Sequence, residues 1–138
     1  MPQTVLIREP IDRTVAQVMA IAAHLTRLPE WAAGFSTGLD RDESDASGST
    51  WFVQAPFGRV RAVFAVDVEQ GILDHDVTMP DGSVVHNRLC IEPTEGGCEA
   101  VFTLVRQEGM TDEAFAADAT AVSSDLRRLR ALCERMDS

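Results

Sequence analysis

One long amphipathic helix, at the end of a chain that otherwise has strand-like patterns, most constrains this fold. The spacing predicts a helix over 111–137, because apolar residues recur there at steps of three and four. These residues share one face: Phe115, Ala119, Val122, Leu126, Leu129, Cys133 and Met136. With no second long helix beside it, the stripe must pack on a sheet. A curved sheet around one helix encloses apolar space, where small molecules bind.

The rest of the chain predicts a sheet of antiparallel neighbours, because the connections between its strands are short. Strands are predicted at 4–8, 50–54, 59–69, 72–79, 83–92 and 98–107, with a weaker one over Phe35–Leu39. Asp12 is the predicted N-cap of a first helix, and Leu28–Trp31 is predicted as a short second one. The acidic, turn-rich segment Arg41–Ser49 is a predicted solvated loop.

The turn Pro80-Asp81-Gly82 decides which side chains face inward. A three-residue loop places His75 opposite Asn87 on the inner face and Asp76 opposite His86 on the outer face. A two-residue Asp-Gly loop would turn the second strand over and bring His86 inside. The three-residue loop is favoured, since it retains opposite-charge pairs on the outer face. The inner face is then apolar along the strands except for His75 and Asn87.

Composition excludes several classes of function. A net charge of −10 argues against nucleic acid and anionic membranes. No apolar run approaches the length of a membrane span and no signal peptide is predicted, so the cytoplasm is the expected location. Three cysteines without CxxC spacing predict neither a disulfide framework nor a zinc site. The histidines lack the spacing of a metal site, and no cofactor is expected.

Several motifs resemble the SRPBCC superfamily, also called START-like or Bet v 1-like. They are Ile11-Asp12 through Leu28-Pro29-Glu30-Trp31, Trp51 with Ala55-Pro56-Phe57-Gly58, Gly71–His75, and Asp125-Leu126 with Leu129. Within the superfamily they are similar to a bacterial branch that is polyketide cyclase/dehydrase-like or AHSA1-like. The resemblance implies one START-like domain over 1–138 with an α+β helix-grip fold. In that fold a seven-stranded curved antiparallel sheet wraps around the long C-terminal helix, and two short helices lie between strands 1 and 2.

The resemblance also bounds the function, although fold alone does not assign one. Superfamily members bind lipids, sterols, polyketides and hormones; a minority are enzymes, and some are co-chaperones. The main expectation is a protein that binds a small hydrophobic or aromatic ligand between the sheet and the C-terminal helix. The alternatives are a polyketide cyclase/dehydratase-type enzyme using His75, or an AHSA1-like interaction module. Outer-face Val63 and Ala65 would tolerate a homodimer contact.

The candidate ligand-binding residues follow from the predicted inner face. Apolar contact is expected from Phe64, Val66, Val77, Leu89, Phe102 and Leu126. His75 and Asn87 would orient a polar group of the ligand, or satisfy only each other; His75 is also the one candidate for acid–base chemistry. Arg106 could meet a ligand carboxylate at the cavity mouth or extend into solvent. Trp51 is a further candidate, whose facing the turn after it leaves open.

Overall fold

The computed structural model describes residues 3–33, 35–56 and 58–135. Within these ranges, seven strands and three α-helices make up the fold. The strands are β1 (Thr4–Ile11), β2 (Leu39–Arg41), β3 (Thr50–Ala55), β4 (Gly58–Asp67), β5 (Ile72–Thr78), β6 (Val84–Thr94) and β7 (Gly97–Val105). The helices are α1 (Val15–Ala22), α2 (Leu28–Trp31) and α3 (Asp112–Glu134), with a 3₁₀ turn at Leu25–Arg27. Phe57, Met136 and Asp137, which the predictions above include, lie outside the described residues.

All seven strands form one antiparallel sheet, in the order β1-β7-β6-β5-β4-β3-β2. The two short helices lie between β1 and β2, and the long helix follows β7. This arrangement confirms the predicted α+β helix-grip class. Because the first strand pairs with the last, β1 brings the start of the chain beside the strand that precedes α3.

Two local predictions were wrong near the first helix. Thr14, not Asp12, is the N-cap of α1: its Oγ1 accepts from the Gln17 N–H at 3.1 Å, and the Gln17 side chain accepts from the Thr14 N–H at 2.9 Å. The shift arises because β1 continues to Ile11, and the Asp12 N–H donates instead to Glu134. The weak strand predicted over Phe35–Leu39 is displaced, because β2 begins only at Leu39. The start of the predicted segment is held in turns, with the Phe35 N–H donating to the Ala32 carbonyl.

The hairpin between β5 and β6 has the predicted three-residue turn. The Met79 N–H donates to the Ser83 carbonyl at 2.8 Å, and Gly82 adopts a φ of 89°, in the left-handed region that glycine tolerates. His75 therefore pairs with Asn87 across the strands, as predicted. One register thus determines the whole inner face of this hairpin.

The long helix begins where the sequence indicated, since the Thr111 hydroxyl accepts from the Ala114 N–H at 3.1 Å. Its C-terminal half is packed into the core through Leu126, Leu129 and Cys133. In its N-terminal half only Phe115 is buried, although the apolar spacing there is the same. The two halves of α3 therefore have different surroundings.

Candidate ligand-binding cavity

A cavity of about 490 Å³ lies between the inner face of the sheet and α3. Its walls come from β4 to β7, from α2 with the segment after it, and from six residues of α3. The α3 residues are Ala117, Asp118, Ala121, Val122, Asp125 and Leu126. Most of the lining is apolar, and exposed residues such as Pro56 and Asp118 mark where the cavity reaches the surface.

Seven of the ten residues predicted as ligand contacts line this cavity. They are Phe64, His75, Val77, Asn87, Leu89, Phe102 and Leu126. The strand register brings the first six together on one face, because residues paired across antiparallel strands point the same way. Leu126 reaches them from the opposite wall on α3.

Val66, Trp51 and Arg106 do not line the cavity. Val66 pairs with Leu73 and shares its face, but it is 39% exposed near the end of β4. Trp51 pairs with Ala62, so it faces inward and packs against the core elsewhere. Arg106 follows the end of β7, so strand alternation no longer determines the direction of its side chain. Its guanidinium donates to the Met110 carbonyl at 2.8 Å and pairs with Asp112 at 2.7 Å.

The His75 ring lies among aromatic side chains and beside Asn87. Its centroid is 5.1 Å from that of Phe64 and 5.2 Å from that of Phe35. The ring Nε2 is 3.3 Å from Asn87 Nδ2, so with this amide orientation Nε2 accepts and the proton resides on Nδ1. Nδ1 is buried without a hydrogen-bond partner among the described residues, although the nearby Leu73 backbone favours its protonated form.

Burial lowers the pKa of His75 to about 4, outweighing the opposing effects of the Leu73 backbone and of Asp74 and Asp76. At neutral pH the ring is therefore uncharged. An uncharged imidazole offers one donor and one acceptor, which suits hydrogen bonding to a polar group of a ligand. It is a weak general base, because its affinity for a proton is low.

The structure adds two carboxyl groups that the sequence interpretation missed, Asp118 and Asp125 of α3. Asp125 is buried and ion-paired with Arg128, whose Nε donates to the Trp31 carbonyl at 3.1 Å. This contact ties α3 to α2 at the cavity wall. Asp118 is exposed at the surface end of the cavity, and partial burial raises its pKa. The sequence does contain a signal for them. Asp118, Val122, Asp125 and Leu129 follow one another at steps of four, three and four, which places both carboxyl groups on the helix face of Val122 and Leu129.

The described residues offer little other chemistry at this site. No group of three or more histidine, cysteine, aspartate or glutamate side chains in the described ranges is placed to hold a metal ion. Cys98 and Cys133 lie in the core and do not line the cavity, and burial raises the pKa of the Cys133 thiol to about 11, which makes it a poor nucleophile. No helix in the described part of the chain is long and apolar enough to cross a membrane.

Comparison with known proteins identifies the fold. No protein-family model and no curated protein matches the sequence. A solved structure from Mesorhizobium loti is similar with a TM-score of 0.74 and 15% identity, covering 99% of this chain and 100% of the other. Ara h 8.0201 is similar with a TM-score of 0.72 and 14% identity over 99% and 100% of the two chains. The Zhui aromatase/cyclase of a Streptomyces species gives 0.71 and 12% identity over 98% and 95%.

These similarities extend over essentially the whole chain at low identity, so what they establish is the architecture. The protein is a helix-grip protein with a cavity between its sheet and its long helix. This architecture is the one that the resemblance of the sequence to the SRPBCC superfamily implies. The particular bacterial branch within that superfamily stays a prediction.

Proposed function

We propose that this protein binds a small hydrophobic or aromatic molecule in the cavity beneath α3. The observation that carries the proposal is an apolar cavity of about 490 Å³ that contains both His75 and Asn87. Ligand pockets start at roughly 300 Å³, and they combine an apolar lining with a few polar groups that fix orientation. An interaction module without a ligand would more naturally fill this space with side chains.

The arrangement suggests how a ligand would be held. Phe64, Phe102 and Leu126 supply apolar surface from both walls of the cavity. His75 and Asn87, whose Nε2 and Nδ2 atoms are 3.3 Å apart, offer hydrogen bonds to one polar group of the ligand. A partly buried polar pair that can exchange its internal bond for bonds to a ligand favours molecules with a carbonyl or hydroxyl on an apolar body.

Turnover is the second candidate, and one observation favours it. A cyclase needs a second positioned acid or base beside His75, and Asp118 and Asp125 line the same cavity. The ionisation of His75 speaks against it, because a ring with a pKa of about 4 is a weak base at neutral pH. Asp125 is already engaged by Arg128. Binding without turnover is therefore the better-supported function.

The test compares two substitutions on the same helix. Ala121 lines the cavity, whereas Ala131 is exposed on the outer side of α3. We expect the neutral fluorescent probe N-phenyl-1-naphthylamine to bind the native protein saturably. Ala121→Phe should weaken that binding by about tenfold or more, because the added ring occupies the cavity, a change worth about 1.4 kcal/mol. Ala131→Phe should leave it unchanged.

Circular dichroism of both variants shows whether each one is folded. Absence of saturable binding to the native protein would contradict the proposal. Equal affinities for the two phenylalanine variants would also contradict it, because the probe would then bind elsewhere. The cytoplasmic location and the homodimer stay predictions that this experiment does not address.

A further inference from the structure

We propose that the cavity accepts amphiphiles whose polar group is cationic or uncharged and rejects carboxylates, and that Asp118 contacts the cationic group at the cavity mouth. This inference rests on the proposed function and specifies the class of ligand. It follows from the charges in the cavity wall, from the positions of the nearest arginines, and from the place of Asp118 on α3.

The charged groups of the cavity wall are few, and they are unevenly distributed in sign. Four titratable side chains line it: His75, His86, Asp118 and Asp125. The chain has no lysine, and none of its twelve arginines lines the cavity. His86 is exposed, with its Nδ1 2.6 Å from Asp76, and Asp125 is ion-paired with Arg128. Asp118, which is exposed, has no ion pair or hydrogen bond to any described residue.

The cations that could have received an anionic ligand are engaged elsewhere. Arg106 pairs with Asp112 and donates twice to the Met110 carbonyl. Arg128 holds Asp125 and donates to the Trp31 carbonyl. A carboxylate entering the cavity would lose its hydration without gaining a cation, and it would approach Asp118 of the same sign. Binding of an anion is therefore disfavoured both by the loss of its hydration and by repulsion from Asp118.

An ammonium group meets the opposite conditions. Asp118 is exposed at the cavity mouth, where partial desolvation raises the pKa of its carboxyl. A cation beside it would stabilise the carboxylate through a charge-assisted hydrogen bond. Asp118 precedes Val122 by one helical turn and Leu126 by two, and all three line the cavity. An amphiphile could thus place its apolar body under Val122 and Leu126 and its head at Asp118.

The experiment uses three probes with one aromatic body: 1-naphthylmethylamine, 1-naphthylmethanol and 1-naphthoate. Their affinities are measured by displacement of N-phenyl-1-naphthylamine at low ionic strength, where screening is weak. The native protein should bind the amine about tenfold more tightly than the carboxylate. Asp118→Asn should reduce that ratio by about threefold to tenfold and leave the alcohol unaffected.

Glu113→Gln is the matched control, because it removes the same unit of charge from an exposed position of α3. It should leave the ratio of amine to carboxylate affinity unchanged. Preference of the native protein for the carboxylate, or equal ratios in the native protein and Asp118→Asn, would overturn the inference while the alcohol still reports a working cavity. Failure of all three probes to bind would contradict the proposed function as well.

Discussion

The two halves of α3 have the same apolar period and opposite surroundings. Leu129 and Cys133 in the C-terminal half are at most 1% exposed and belong to the main core cluster with α1 and the sheet. In the N-terminal half, Ala117 and Asp118 are exposed at one side of the cavity, and Val122 is half-buried along it. An amphipathic stripe therefore does not determine whether it builds a core or roofs a cavity. The residues on the facing wall determine whether the stripe packs in a core or lines a cavity.

A single helix thus combines stability at one end with a binding surface at the other. Its packed end anchors it against the sheet, so the cavity end need not contribute much to folding. Asp125, paired with Arg128, lies where the two halves meet and links α3 to α2. Three predictions probe this division, from the largest expected effect to the smallest.

The first concerns the packed end. Leu129→Ala should lower the free energy of unfolding by about 2–5 kcal/mol, because Leu129 is 0% exposed and its removal leaves a void in a filled core. Urea denaturation monitored by circular dichroism measures this loss. A cost below about 1 kcal/mol would mean that this half of α3 is not the anchor.

The first prediction extends to a pair of valines, one in the packed core and one at the cavity. Val18 of α1 is fully buried in the core cluster, whereas Val122 lines the cavity. Val18→Ala should cost about 2 kcal/mol, and Val122→Ala about 1 kcal/mol or less, since its methyl groups already face open space. Equal costs would remove the distinction between the packed core and the cavity wall.

The second prediction concerns pH and His75. The unfolded chain takes up this proton near pH 6.5 and the folded protein only near pH 4. Between these values the unfolded state holds more protons, so the free energy of unfolding falls as pH falls. The contribution of His75 should be a loss of about 2 kcal/mol between pH 7 and pH 5. His75→Gln should show a correspondingly shallower loss in urea titrations, and identical slopes would contradict the buried, uncharged ring.

The third prediction tests the polar pair as an anchor. Native protein should prefer 1-acetylnaphthalene over 1-ethylnaphthalene, which has no hydrogen-bonding group. His75→Ala and Asn87→Ala should each reduce that preference by about threefold to tenfold, the value of one hydrogen bond. Probe displacement measures both affinities. If neither variant changes the preference, His75 and Asn87 serve only each other.

Much of the fold could be predicted because its determinants are local. The Pro80–Gly82 turn alone selects the register that pairs His75 with Asn87. The apolar period and the Thr111 cap locate α3. The Asp12 cap was wrong because two residues, Asp12 and Thr14, are both good caps, and the actual end of β1 decides between them.

The site was predicted less completely, because the limits of a cavity depend on tertiary packing. Strand alternation predicts correctly that Val66 shares the face of Leu73. It does not predict that Val66 lies near the end of β4, where it is 39% exposed. Arg106 does not line the cavity for a related reason. Strand alternation ends with β7 at Val105, so it does not determine the direction of the Arg106 side chain. Asp118 and Asp125 border the apolar stripe, and only the rotation of α3 about its axis decides whether such residues face solvent or the cavity.

The most direct test of the account is an NMR experiment on the complex with N-phenyl-1-naphthylamine in protein with labelled methyl groups. We expect intermolecular nuclear Overhauser effects from the probe to the methyls of Val77, Leu89 and Val122, which line the cavity. No such effects should reach Leu129, which lies in the packed core. Contacts to outer-face methyls such as those of Val63, or to Leu129, would contradict the assignment of binding to the cavity half of α3.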